Sequence, residues 1–143
     1  MAEASVLIVD DEEEFLEGIS ERLKIRDFLV DTATNGLEAL KKIDLLGYDA
    51  IVLDLMMPGL DGLDTLKRAL KKNPDLQIIL LTGRASVKHA VTAMQEGALD
   101  FMEKPVKLEV LVEKIREGRT RRRKLDEARR MAAVTEILTS RGW

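Results

Sequence analysis

The feature that most constrains the fold is the alternation of short apolar runs with segments in which apolar residues recur every three or four positions. The apolar runs predict five strands, at residues 5–9, 29–33, 50–53, 77–81 and 99–102. The segments between and after them predict five amphipathic helices. This alternation is typical of a parallel sheet with helices on both faces. Asp31 and Thr32 make the second strand polar enough for an edge of that sheet.

Composition limits the classes of protein that the chain can belong to. Its 143 residues, 45% of them hydrophobic, are enough for one domain with a sizeable core. The absence of cysteine excludes disulfides, thiolate metal sites and a cysteine nucleophile. No apolar run reaches the length of a membrane span, and Glu3 stands where a secretory leader would be basic, so we expect a cytoplasmic protein without membrane contact.

The charges are unevenly distributed and divide the chain into two parts. Residues 117–143 contain 8 lysines and arginines against 4 acids, whereas residues 1–116 contain 15 against 22. We therefore predict a domain at residues 1–117 and a basic, mostly helical extension at 118–143. Gly118 is the predicted break or hinge between them, because glycine costs about 1 kcal/mol in a helix relative to alanine. Packing on the domain or on a second copy would be needed to order so short a helix.

Polar side chains follow four of the predicted strands. Asp10 and Asp11 come after the first, Asp54 after the third, Thr82 after the fourth and Lys104 after the fifth. In an open parallel sheet these positions share the edge where α/β proteins bind ligands. Carboxylates together with phosphate oxygens and water are the usual ligands of Mg²⁺, and an aspartate can accept a phosphoryl group. We therefore predict that a phosphoryl group is transferred onto Asp54 at this edge of the sheet.

These residues and their spacing resemble the receiver domain of two-component response regulators. The resemblance rests on VLIVDD at 6–11, DLMMPGLDG at 54–62, LTG at 81–83 and KP at 104–105, and it covers about residues 4–117. It implies a flavodoxin-like (βα)5 three-layer sandwich with strand order 2-1-3-4-5. The helical extension would follow this domain.

The resemblance also implies roles for individual residues. Asp54 would be the phosphoacceptor, and Mg²⁺ would be bound by Asp10, Asp11, Asp54 and the backbone carbonyl of Met56. The switch between signalling states would use Thr82, Phe101, Lys104 and Pro105, with a cis bond between Lys104 and Pro105 that turns the lysine toward the site. Ser86 is the predicted N-cap of the fourth helix, and Gly59 and Gly62 belong to a predicted turn after Pro58.

Three function classes follow from these observations. The first is a signalling module, not an enzyme in the usual sense, that is phosphorylated by a sensor histidine kinase or histidine phosphotransfer protein. It would act on a downstream protein or form a homodimer, and its own chemistry would be self-phosphorylation and slow dephosphorylation. The second is a Mg²⁺-dependent phosphohydrolase, but the sequence VDDE at 9–12 lacks the Asp-X-Asp that such enzymes need. The third is a nucleic-acid-binding regulator acting through the basic tail, although no helix-turn-helix or aromatic platform accompanies the arginines.

Overall fold

A computed structural model describes residues 2–57, 61–83 and 87–142 of the chain, apart from the side chain of Val87. Ten elements alternate along these residues. They are β1 (Ser5–Val9), α1 (Glu13–Ile25), β2 (Leu29–Ala33), α2 (Gly36–Leu45), β3 (Ala50–Asp54), α3 (Gly62–Lys72), β4 (Ile78–Thr82), α4 (Val87–Gln95), β5 (Asp100–Glu103) and α5 (Leu108–Ser140). Pro58, Gly59 and Ser86, for which the sequence predicted a turn and a cap, lie outside the described residues.

The five strands form one parallel sheet in the order β2-β1-β3-β4-β5. The predicted strand order is therefore confirmed, and β2 lies at an edge as its polar residues indicated. Parallel pairing needs a helical crossover between successive strands, which the alternating sequence supplies. The arrangement brings β1, β3 and β4 together at the centre of the sheet.

Three strands extend further along the chain than predicted. β3 includes Asp54, β4 runs from Ile78 to Thr82, and β5 ends at Glu103. The sequence placed these strand ends at the last apolar residue. The ladder joins main-chain groups, however, so a polar side chain does not end it: Asp54 lies opposite Leu81, and Thr82 lies opposite Glu103.

Two apolar clusters form the core, one on each face of the sheet. Leu7 and Val9 point into the cluster covered by α2, α3 and α4, and Val6 and Ile8 point into the cluster covered by α1 and α5. Successive side chains of a strand face opposite ways, so the continuous apolar run of β1 supplies both clusters. All four are fully buried, and burying each stabilises the fold by about 1.5–3 kcal/mol. The three-layer sandwich is confirmed.

The predicted break at Gly118 is wrong, because α5 continues through it as one helix of 33 residues. Gly118 is buried where α5 crosses the amino-terminal end of the sheet. A Cβ there would lie 3.2 Å from the Cβ of Gln77 and 3.4 Å from the Cβ of Ala50. The glycine therefore permits a close approach between helix and sheet, and that packing offsets its low helix propensity.

Candidate functional site

The polar residues predicted to share an edge do converge at the carboxyl-terminal ends of the strands. Asp54 and Thr82 are the last residues of β3 and β4, Asp10 directly follows β1, and Lys104 directly follows β5. These four strands are neighbours in the sheet. Asp10, Asp54 and Thr82 are therefore held at the ends of strands that are almost wholly buried.

Three carboxylates form the centre of this edge. Asp10 is fully buried, Asp54 is 5% exposed and Asp11 is exposed to solvent. One oxygen from each lies within 4.8 Å of the others. Two unit charges about 4 Å apart repel by roughly 4 kcal/mol at a dielectric typical of a protein surface, so this cluster favours a cation.

The two buried carboxylates are oriented by backbone amides. Asp10 Oδ1 accepts a hydrogen bond of 2.9 Å from the N–H of Glu12, and Asp54 Oδ1 accepts one of 3.0 Å from the N–H of Met56. Each Oδ2 faces Lys104. The side chain of Met56 is exposed, so its backbone is the part of this residue that contacts the site.

Lys104 is the cation that the structure places among these acids. Its Nζ lies 2.7 Å from Asp10 Oδ2, 3.5 Å from Asp54 Oδ2 and 3.5 Å from Glu12 Oε1. The ring of Phe15 lies beneath it, with 4.7 Å between Nζ and the ring centroid, a cation–π contact that the sequence did not reveal. The peptide bond between Lys104 and Pro105 is cis.

Two side chains at this edge, Asp54 and Lys104, have pKa values above their usual range. Burial and the negative charge of Asp10 raise the pKa of Asp54, and the Met56 N–H and Lys104 only partly oppose them. Burial lowers the pKa of Lys104, but the hydrogen bond to Asp10 and the surrounding carboxylates outweigh it, and the net pKa is raised. Lys104 therefore keeps its charge, whereas the charge of Asp54 is incompletely compensated.

Thr82 and Phe101 lie beside the acidic cluster. Thr82 is fully buried, and its hydroxyl donates to the carbonyl of Met102 over 3.3 Å. Its own carbonyl accepts a bond of 2.8 Å from the N–H of Lys104. Phe101 precedes Met102 and is 37% exposed. The hydroxyl thus links the strand end at the site to the part of β5 that carries the exposed aromatic ring.

Gly62 is a residue whose contribution the sequence did not show, since it was assigned only to a turn. It is the buried first residue of α3, and its N–H donates to the carbonyl of Leu55 over 3.2 Å. A Cβ at this position would overlap the carbonyl oxygen of Asp54 and the backbone of Leu55. The helix can therefore lie against the strand end that carries Asp54 only because residue 62 has no side chain.

The donor set fits Mg²⁺. This ion usually binds one or two carboxylates and keeps several waters, and it demands oxygen ligands. Asp10, Asp11 and Asp54 offer carboxylate oxygens close together, and the exposure of Asp11 leaves one side of the cluster open to water. Among the described residues, the group that could hold a metal ion consists of these three carboxylates.

Comparisons with known proteins agree with this geometry. The family model described as "Response regulator receiver domain" matches residues 6–116. Response regulator MprA from Mycobacterium leprae is 38% identical over 91% of this chain and 57% of its own length. The C4-dicarboxylate transport transcriptional regulatory protein DctD from Rhizobium meliloti is 33% identical over 94% of this chain and 29% of its own length.

A solved structure shows the same fold. The response regulator receiver domain protein from Clostridium thermocellum has a TM-score of 0.81 and 33% identity, over 85% of this chain and 98% of its own. By contrast, this chain spans just over half the length of the MprA protein. Within the described residues, no helix is both long and apolar enough to cross a membrane.

Proposed function

Because the chain belongs to the response regulator receiver family, we propose that Asp54 accepts a phosphoryl group from a sensor histidine kinase or a histidine phosphotransfer protein. The observation that supports this most directly is the position of the Asp54 carboxylate, buried at the end of β3 between Asp10 and Lys104. The exchange would take place in the cytoplasm, the compartment predicted from the sequence.

The reaction is a displacement at phosphorus. Asp54 Oδ2 attacks, the phosphorus–nitrogen bond of the donor phosphohistidine breaks, and its electron pair returns to the imidazole nitrogen, which takes a proton from solvent. Mg²⁺ held by Asp10, Asp11, Asp54 and the carbonyl of Met56 would supply positive charge to the phosphoryl oxygens. The protein itself contributes position and charge, and this accords with a signalling module.

Lys104 and Thr82 would respond to the new phosphoryl group. Lys104 Nζ already lies 3.5 Å from Asp54 Oδ2, so it can donate to a phosphoryl oxygen with little movement. The Thr82 hydroxyl would turn from the carbonyl of Met102 toward the same group. Loss of that bond would free the segment of β5 beside Phe101, and a partner would recognise the altered surface.

Labelling with a small phosphodonor tests the proposal. With Mg²⁺ and acetyl phosphate, we expect the intact mass to increase by one phosphoryl group, mapped to Asp54. The Asp54→Asn variant should lose this label, whereas Asp64→Asn, which changes an exposed acid of α3, should keep it. Labelling of Asp54→Asn at the parent rate would contradict the assignment.

The output would pass through protein contacts, and we propose a second copy of the chain as one partner. The extension presents large apolar side chains to solvent, namely Leu125, Met131, Val134, Ile137 and Leu138. Sedimentation of the full chain, with and without beryllofluoride, should show self-association that Met131→Glu abolishes. A monomer under both conditions would contradict this partner.

Nucleic-acid binding by the basic tail is the alternative, and the DctD relative is named a transcriptional regulator. Three of the tail arginines already pair with acids or carbonyls of the domain: Arg119, Arg122 and Arg129. This pairing reduces the positive charge offered to phosphates, so we favour the protein partner. Binding of duplex DNA that weakens steeply with salt would favour the alternative.

A further inference from the structure

The opposite end of the sheet, away from Asp54, has its own row of acids. Glu3 precedes β1, Asp49 precedes β3 and Asp75 precedes β4, and these strands are neighbours at the centre of the sheet. We call these residues the acidic rim. Asp49 is fixed in place, because its Oδ2 accepts a bond of 2.8 Å from the N–H of Ser5.

α5 passes the acidic rim with one arginine after another facing it. Arg116 Nε lies 2.5 Å from Glu3 Oε1, and Arg119 donates to the carbonyl of Glu3. Arg122 Nη1 then lies 3.7 Å from Asp49 Oδ1, and Arg129 pairs with Asp75. The intervals of three, three and seven residues put these arginines on one face of the helix. Their order along the helix follows the order of β1, β3 and β4 across the sheet.

Two glycines make room for this contact. Gly118 lets α5 approach the starts of β3 and β4. Gly47, in the loop before β3, leaves the space in which the Arg122 guanidinium lies: a Cβ on Gly47 would be 2.7 Å from Arg122 Nη2. Gly47 and Gly118 are 71 residues apart in the sequence, yet both make room for the contact between the same part of α5 and the domain.

We propose that the acidic rim is an intramolecular docking surface that fixes the direction of the extension. On this view the folded domain continues along α5 as far as Arg129, beyond the boundary at residue 117 that the sequence predicted. The remaining turns project from it in one orientation. The inference is independent of phosphorylation at Asp54.

The contacts act together. An ion pair at a protein surface contributes little to stability, so no single arginine would hold the helix. The Gly118 contact fixes one point along the helix axis, and Arg122 and Arg129 add two more points within the next three turns. Contacts at three points along a continuous helix determine its direction, even when each contact is weak.

Pulsed electron paramagnetic resonance on the full chain tests this docking. The protein has no native cysteine, so spin labels can be placed at Lys67→Cys on α3 and Glu136→Cys in the extension, both exposed. A second pair, Lys41→Cys with Glu136→Cys, gives another distance and hence a direction. We expect one narrow distance distribution for each pair.

The same distances are then measured after removing the two outer contacts. Arg122→Gln with Arg129→Gln should broaden the peak, while circular dichroism shows that the helix is retained. The matched control is Arg123→Gln with Arg130→Gln, which changes neighbouring arginines of the same helix and should leave the peak unchanged.

Three results would overturn the inference: a broad distribution in the parent chain, an unchanged peak in the Arg122 and Arg129 variant, or equal broadening in the control. Raising the salt concentration should broaden the parent peak as well, because the guanidinium groups of both pairs are accessible to solvent. A peak that does not respond to salt would count against an ionic contact.

Discussion

The acids at the two ends of the sheet differ in how far basic side chains of the chain compensate their negative charge. At the carboxyl-terminal end, Asp10, Asp11 and Asp54 lie close together with Lys104 among them. At the amino-terminal end, each rim acid has an arginine of its own. The excess negative charge at the first end favours a cationic ligand. The acids at the second end are already paired with arginines of the same chain.

Asp54 and Asp75, one from each end of the sheet, have pKa values shifted in opposite directions. The pKa of Asp54 is raised by burial and by the charge of Asp10, so ionising this group works against the fold. The pKa of Asp75 is lowered, chiefly by the hydrogen bond from Arg129, so ionising that group favours the fold. The direction of the pKa shift therefore distinguishes Asp54 from Asp75.

The largest effect is expected at Gly62. Gly62→Ala should destabilise the domain by about 2–3 kcal/mol, because the added Cβ meets backbone that cannot move without shifting Asp54. Urea unfolding measures the loss. Gly18→Ala is the control: this glycine is exposed, with no atom from beyond its chain neighbours and its own helix backbone within 4 Å of an added Cβ, and the change should stabilise the helix by about 1 kcal/mol. Equal effects of both substitutions would remove the argument for close packing at the site.

The second effect tests the excess of negative charge. Without Mg²⁺ at neutral pH, Asp54→Asn should raise the Tm by several degrees, because it removes a buried charge beside Asp10. The folded-state pKa of Asp54 lies above the unfolded value, so the folded state binds more protons between the two values and parent stability rises as pH falls through that window. The advantage of the variant should therefore shrink at acidic pH, as followed by thermal melts. A lower Tm at neutral pH would contradict the contrast between the two ends.

A third effect concerns the ligand. Asp11→Asn should leave the Tm nearly unchanged without Mg²⁺, because Asp11 is exposed, but it should reduce the rise in Tm that Mg²⁺ gives the parent. Melts across a magnesium titration measure both. A full magnesium response in the variant would exclude Asp11 from the metal site.

The smallest effect is expected at the paired end. Arg129→Gln should leave the midpoint of urea unfolding nearly unchanged, because Arg129 is 64% exposed. A midpoint lowered as far as that of Gly62→Ala would mean that the rim supports the fold itself and does more than orient the extension.

The sequence predicted the elements and the convergence of Asp54, Thr82 and Lys104, because these depend on local periodicity and on strand ends. The strand order was predicted from the resemblance to receiver domains. It did not reveal what depends on distant backbones coming together. From the sequence alone, Gly62 is interpreted as a turn residue, because the sequence does not show that α3 lies against the backbone of Asp54. Gly118 is interpreted as a helix break, because the sequence does not show that the sheet lies beside it. The cation–π contact of Phe15 with Lys104 likewise requires both ends of the domain to meet.

The continuity of α5 has a mechanical consequence. The helix starts at Leu108, shortly after Lys104, and ends at Ser140. At 1.5 Å per residue, Gly118 lies about 15 Å from its start and about 33 Å from its end. While Arg122 and Arg129 stay paired with the acidic rim, the helix is held against tilting about this glycine. Once those pairs are released, a tilt that displaces Leu108 by about 1 Å would displace Ser140 by about 2 Å in the opposite direction. Release of the rim would thus let a small rearrangement at the start of the helix reach its far end enlarged and inverted.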